Sequence, residues 1–94
     1  KDNEQSLGEA IQSFVKAHQL DDKLLETEIY QRWEELAGKD INNRTKRVTF
    51  REGHLVVYLT SASLREELNL QRELLLEKVN QRLRNRPVAS LKFL

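Results

Sequence analysis

Cysteine is absent from this chain, which removes disulfides, thiolate metal sites and cysteine nucleophiles at once. Histidine occurs only at His18 and His54, too few to build a zinc site. Proline occurs once and glycine three times, and no Pro/Gly/Ser-rich stretch separates one part of the chain from another. No apolar run approaches the roughly 20 residues that cross a bilayer, so no membrane partner is expected. No secretory leader is evident, so the expected compartment is the cytoplasm. The glycines, Gly8, Gly38 and Gly53, are spaced neither as a phosphate-binding loop nor as a nucleophile elbow. Neither ATP-driven chemistry nor acyl-transfer chemistry has its usual parts, and no catalytic residue, cofactor or metal is expected.

What remains is a polar chain of 94 residues, 38% apolar and 33% charged, enough for one modest core. The expected layout is a short tail over 1–6 and a single domain over 7–94. Net charge is +1, but unevenly placed. Residues 1–38 carry four basic and nine acidic side chains, giving −5, whereas 39–94 carry twelve and six, giving +6. Five of the thirteen residues from Lys39 to Arg51 are Lys or Arg. Such asymmetry points to an anionic partner for the second half.

Ser6-Leu7-Gly8-Glu9 has the form of a capping box. Leu7, Ile11, Phe14 and His18 then recur at helical spacing, predicting a helix over about 7–19. Asp21 is placed to cap a second helix, with Leu25, Ile29, Trp33 and Leu36 on one face and Gly38 as its stop.

The period then changes to two. Glu52 and Gly53 suit a two-residue hairpin loop. That loop pairs Arg51 with His54, Phe50 with Leu55, Thr49 with Val56, Val48 with Val57 and Arg47 with Tyr58. Val48, Phe50, Leu55, Val57 and Leu59 form the core face; Arg47, Thr49, Arg51, His54, Val56 and Tyr58 form a wetter one. Ser63 to Glu66 reads as a second capping box, opening a long helix to about Arg84 with Leu64, Leu68, Leu75, Val79 and Leu83 inward. Leu70, Leu74 and Leu76 widen its apolar surface. The first two helices are expected to cover them, the alternative being an exposed contact patch. Arg82, Arg84 and Arg86 complement the helix dipole, and Pro87 ends the helix. Val88 to Leu94 alternates as a last strand, with Ala89, Leu91 and Phe93 inward and Ser90 and Lys92 outward.

The expected fold is therefore α+β, order α-α-β-β-α-β, a three-stranded sheet with helices packed on one face. Its expected core includes Phe14, Ile29, Trp33, Phe50, Leu55, Val57, Leu68, Leu75 and Phe93.

An ordered series of residues resembles a known family. It runs Trp33-x-x-Leu36-Ala37-Gly38, Arg44-Thr45, Gly53-x-Leu55-x-Val57-x-Leu59, Ser61-x-Ser63-Leu64-x-x-Glu67-Leu68 and Val88-x-x-Leu91-x-Phe93. The chain resembles the DciA family of bacterial replicative-helicase loaders from about Leu7 to Leu94. The resemblance implies a KH-like domain that binds DNA and assists the replicative helicase. Two departures stand out. Arg44 replaces the family's usual histidine before the threonine, and many relatives carry a basic extension beyond the last strand, where this sequence ends.

Without a G-x-x-G loop, nucleic acid must be held by side chains. The candidates are Arg47, Arg51 and Lys92 on the wetter sheet face with Tyr58 as a stacking surface, joined by Lys39, Arg44 and Lys46 before or at the first strand. The competing explanation is a solvated face on which Arg47 covers the Tyr58 ring. The partners expected are DNA, single-stranded or forked rather than a specific duplex sequence, and the replicative helicase. Two alternatives remain open: a protein-interaction domain on a KH-like scaffold, motivated by Leu70, Leu74 and Leu76, and an RNA-binding module lacking G-x-x-G.

Overall fold

The computed structural model describes residues 6–83 and 88–94. Helix α1 (Leu7–Gln31) is followed by two short helices, α2 (Trp33–Ala37) and α3 (Lys39–Asn43). Strands β1 (Thr45–Arg51) and β2 (His54–Leu59) form a hairpin. Helices α4 (Ala62–Leu70) and α5 (Arg72–Leu83) then lead back to β3 (Ser90–Phe93). The fold is α+β, with the helices preceding and interrupting a three-stranded mixed sheet of order β1-β2-β3. β1 and β2 are antiparallel, and β3 joins β2 in parallel through the α4–α5 crossover.

The hairpin follows from its loop. Glu52 and Gly53 both have positive φ, 52° and 87°, the combination that matches the twist of two antiparallel strands. The resulting pairs run from Arg51↔His54 to Arg47↔Tyr58, the register read from the sequence. Alternation then buries Val48, Phe50, Leu55, Val57 and Leu59 on one face, with Leu91 and Phe93 beside them from β3. Ala89, expected inward, is exposed, and Val88 is buried in its place. The chain enters the sheet at Gly53, where the Ala89 N–H donates to the Gly53 carbonyl at 2.7 Å and alternation starts one residue later.

Onto that face pack Leu25 and Ile29 of α1, Trp33, Leu36 and Ala37 of α2, and Leu68, Val79 and Leu83 of α4 and α5. Leu75 is half-buried against this cluster. Trp33 is fully enclosed, and its indole N–H donates to Thr45 Oγ1 at 2.9 Å. That hydroxyl in turn donates to the Ile41 carbonyl at 2.7 Å, so the ring's one polar atom is satisfied inside the core.

The helix boundaries differ from the sequence reading. The capping box at Ser6 forms in full: Ser6 Oγ accepts from Glu9 N at 3.1 Å, and Glu9 Oε1 accepts from Ser6 N at 3.2 Å. But no break occurs at Asp21, and α1 runs unbroken to Gln31. Its first half therefore extends past the sheet, giving a molecule 60 Å long and about 24 × 21 Å across. Phe14, expected in the core, is 71% exposed on this overhang. Helix propensity carries α1 beyond the hairpin tip, where the sheet no longer offers a surface to bury its stripe.

Similarly, the long helix expected after β2 is split at Gln71. Its N-cap is Ser61, whose hydroxyl accepts from Leu64 N at 3.2 Å, rather than Ser63. The break leaves Leu70 88% exposed and Leu74 70% exposed, while Leu76 packs at the core margin. Thus the first helices do not cover Leu70 and Leu74. Arg84, Arg86, Pro87 and the tail over 1–5 lie outside the described residues.

Candidate nucleic-acid interface

With the helices on one side of the sheet, the other side is left open, and the strand register fixes what stands on it. The first row joins Arg51, His54 and Ser90; the next joins Thr49, Val56 and Lys92. Arg47 and Tyr58 begin the third. Arg47, Arg51, His54 and Lys92 are exposed, and the residues between them are half-buried. His54 Nδ1 and Ser90 Oγ lie 2.7 Å apart, tying the start of β2 to the start of β3.

Lys46 joins this face through an irregularity. Thr45 pairs with Leu59 and Arg47 with Tyr58, so Lys46 is an extra residue on β1. Such a bulge breaks the strict alternation of faces. Consequently Lys46 and Arg47 are consecutive and both exposed, while Thr45 still turns its hydroxyl to Trp33. Arg44 sits just before them. Its carbonyl accepts from the Thr60 N–H at 2.9 Å and the Thr60 hydroxyl at 3.3 Å, which pins it beside the end of β2. Arg44, Lys46 and Arg47 thus gather at one end of the sheet, Arg51 stands four residues along β1, about 13 Å away, and Lys92 lies across on β3. Lys39 stands apart, exposed at the start of α3.

The Arg47 guanidinium carbon lies 4.2 Å from the Tyr58 ring centroid. The pair is a cation–π contact worth about 0.5–1 kcal/mol at an exposed site. It places the guanidinium over the Tyr58 ring expected to stack on a base, the arrangement the solvated-face explanation anticipates.

The open face is bounded on the β1 side by α1. Asp22 Oδ2 accepts from the Glu52 N–H and Glu26 Oε2 from the Phe50 N–H, each at 2.9 Å. Beyond these anchors, a cleft of about 970 Å³ separates the overhang of α1 from the hairpin. Phe14, Val15 and His18 line one wall; Thr49, Arg51 and Val56 line the other. The Phe14 and His18 rings are stacked, 6.3 Å apart at 12°. Phe14 was expected in the core, on the apolar stripe that ends at His18. The signal available was length: an apolar stripe beginning at Leu7 lies 18 residues ahead of the first apolar side chain that is buried, Leu25. Among the described residues no group of three or more His, Cys, Asp or Glu side chains could hold a metal ion, and no helix is long and apolar enough to cross a membrane.

A helix-backed three-stranded sheet whose uncovered face carries a run of cations defines a small α+β domain with a cationic surface. The chain belongs to the DciA family: the model of that family, described as Dna[CI] antecedent, DciA, matches residues 6–93. The family is associated with loading of the replicative helicase. No curated protein matches the chain.

Proposed function

We propose that this protein is a non-enzymatic, DNA-binding accessory of the bacterial replicative helicase, working in the cytoplasm. The observation that carries this reading is the clustering of Lys46, Arg47, Arg51 and Lys92 on the sheet face that the helices leave open. Phosphates would lie along these cations, with Arg44 extending the track at the Arg47 end. The outer surface of the helices, behind the sheet, would be free for the helicase, so that one small domain holds both and couples them by proximity rather than by hydrolysis.

The test is a fluorescence-anisotropy titration of labelled single- and double-stranded DNA at two salt concentrations, with wild type beside Arg47→Glu/Arg51→Glu. Both substituted residues are exposed, so the variant should remain folded. If Lys39, Arg44, Lys46, Arg47 and Arg51 all met phosphates, the log–log salt slope on a single strand would be about −3.5, its upper limit for these five. Salt-sensitive binding lost in the folded variant supports the reading; equal binding by both proteins refutes it.

A second reading, a protein-interaction domain in which the cations only solvate the sheet, is favoured by Leu70 and Leu74. They form an exposed apolar pair beside Glu66, Glu67 and Glu73, all exposed. Helicase association that survives charge reversal at Arg47 and Arg51 but is lost in Leu70→Ser/Leu74→Ser, without DNA binding by any form, would select it.

A further inference from the structure

We infer that the cleft between the overhang of α1 and the open sheet face receives the unpaired bases of single-stranded DNA, with Phe14 as their stacking platform. The inference rests on the DNA-binding reading above and adds a second half, with an apolar wall, to the same site.

The reason lies in how charge and apolar surface are divided. Cations occupy the sheet face and its near rim, where Arg51 stands at the mouth of the cleft. Inside, α1 contributes Gln19 and Lys23, the latter paired with Glu26 at 3.1 Å, and the carboxylates of Asp22 and Glu26, already bonded to the backbone N–H groups of Glu52 and Phe50. A sugar-phosphate backbone is repelled from those two carboxylates and attracted to Arg47, Arg51 and Lys92. Bases are uncharged, carry amino donors that carboxylate oxygens accept, and have flat faces that stack on aromatic rings. A strand lying across the sheet with its phosphates on the cations therefore has one favourable way to turn its bases, toward α1.

What they meet there is apolar and unburied. Phe14 is 71% exposed, Ile11 53% and Val15 45%, one face of a helix that nothing else in the described structure covers. The Phe14 ring is held by its stack on His18, so little side-chain freedom is lost when a base docks. Duplex DNA cannot use this wall, because its bases are already paired and stacked. The overhang thus distinguishes a single strand from a duplex, which the cations alone do not.

The experiment compares wild type, Phe14→Ala and Arg47→Glu/Arg51→Glu by anisotropy on a labelled 12-nucleotide single strand, the same strand with abasic sites, its duplex, and the matching RNA. Phe14→Ala should weaken single-strand binding about tenfold. It should leave duplex binding and the salt slope unchanged, since no phosphate contact is removed. The abasic strand should bind wild type about as weakly as the intact strand binds Phe14→Ala, and should be indifferent to that substitution. Phe14→Trp, which keeps a stacking surface, should retain wild-type binding. The cleft assignment is overturned if Phe14→Ala binds the single strand like wild type, or weakens strand and duplex alike. Tighter binding of RNA than DNA overturns DNA as its occupant. Should Arg47→Glu/Arg51→Glu also bind as wild type, the whole DNA reading fails; if that variant loses binding while Phe14→Ala does not, only the cleft does.

Discussion

Glu26 accepts the backbone N–H of Phe50 at 2.9 Å, and the geometry is repeated one helical turn earlier, where Asp22 accepts that of Glu52. Residues four apart on a helix rise about 6 Å. Alternate residues of a strand are about 6.7 Å apart. The two carboxylates therefore match two successive outward N–H groups along the free edge of the hairpin, Phe50 in β1 and Glu52 in its loop, which would otherwise be offered to another chain. Asp22 is only 5% exposed. Asp22→Ala should cost about 1.5–3 kcal/mol, the range for a hydrogen bond to a charged group. Glu26→Gln, which keeps an acceptor oxygen, should cost less than Glu26→Ala. Urea unfolding gives these differences, and light scattering should show Asp22→Ala/Glu26→Ala associating through the bared edge. A double variant as stable and as monodisperse as wild type would contradict the assignment.

Trp33 depends on Thr45 in a similar way. Thr45→Val preserves shape but leaves the buried indole N–H and the Ile41 carbonyl without the hydroxyl between them. A loss of about 1–3 kcal/mol is expected, since the buried indole N–H loses its partner and gains none, whereas the Ile41 carbonyl keeps the Arg44 N–H at 3.1 Å. Trp33 is the chain's only tryptophan, so its fluorescence reports the unfolding directly. Trp33→Phe combined with Thr45→Val should cost less than the two losses added, because the orphaned donor is gone.

The hairpin and its register were legible because Gly53 and the alternation around it specify each other: a slip of one residue would turn Val48, Phe50, Leu55 and Val57 to water. Arg47, Arg51 and Lys92 on the open face follow from the same alternation, whereas Lys46 is exposed beside Arg47 through the bulge. Helix ends were less legible. Asp21 imitates a start signal, but the neighbouring Asp22 is committed to the hairpin edge 30 residues later, a contact no local pattern announces. Gln71 breaks α4 from α5 with neither glycine nor proline to mark it. Phe14 was misplaced for a related reason: periodicity shows which face of a helix is apolar, not how far the sheet beneath it extends.

Arg32 links the first two helices. Its guanidinium bonds Glu28 at 3.0 Å, Glu35 at 3.0 and 3.2 Å, and the Arg82 carbonyl at 3.0 Å. The hydrogen bond from Arg32, and then its charge, hold the Glu35 carboxyl below its ordinary value. A depressed folded-state value means that ionised Glu35 stabilises the fold above the ordinary carboxylate range, and that this contribution is lost as pH falls through the lowered value. Glu35→Gln, which mimics the protonated acid, should therefore melt below wild type at neutral pH and together with it in strong acid. Because Glu35 is exposed, the gap should be small and should shrink in high salt. Thermal melts of both proteins across the acid range check this, and a gap independent of pH contradicts it.

At the hairpin tip, Glu52 occupies a positive φ of 52°. A side chain with a Cβ is strained there, and asparagine tolerates the region better than glutamate. Glu52→Asn should raise stability by about 0.5–1 kcal/mol, read as a higher urea midpoint with an unchanged slope. The backbone N–H that Asp22 accepts is kept in the variant, so the gain should be the same in an Asp22→Ala background.

Lys46 provides the most direct check that the bulge serves the open face. Without an extra residue in β1, strict alternation would send the side chain before Arg47 toward the core, and Thr45 would lose its place under Trp33. The bulge reconciles the two, keeping the hydroxyl inside while adding a cation outside. Lys46→Ala should leave stability within about 0.5 kcal/mol, as for other exposed substitutions. On single-stranded DNA it should reduce the magnitude of the salt slope by about 0.7, the share of one phosphate. Lys78→Ala, on α5 behind the sheet, should not change the slope. Equal slopes for wild type and Lys46→Ala, with a loss at Arg47→Ala alone, would make the bulge a device for seating Thr45 and nothing more.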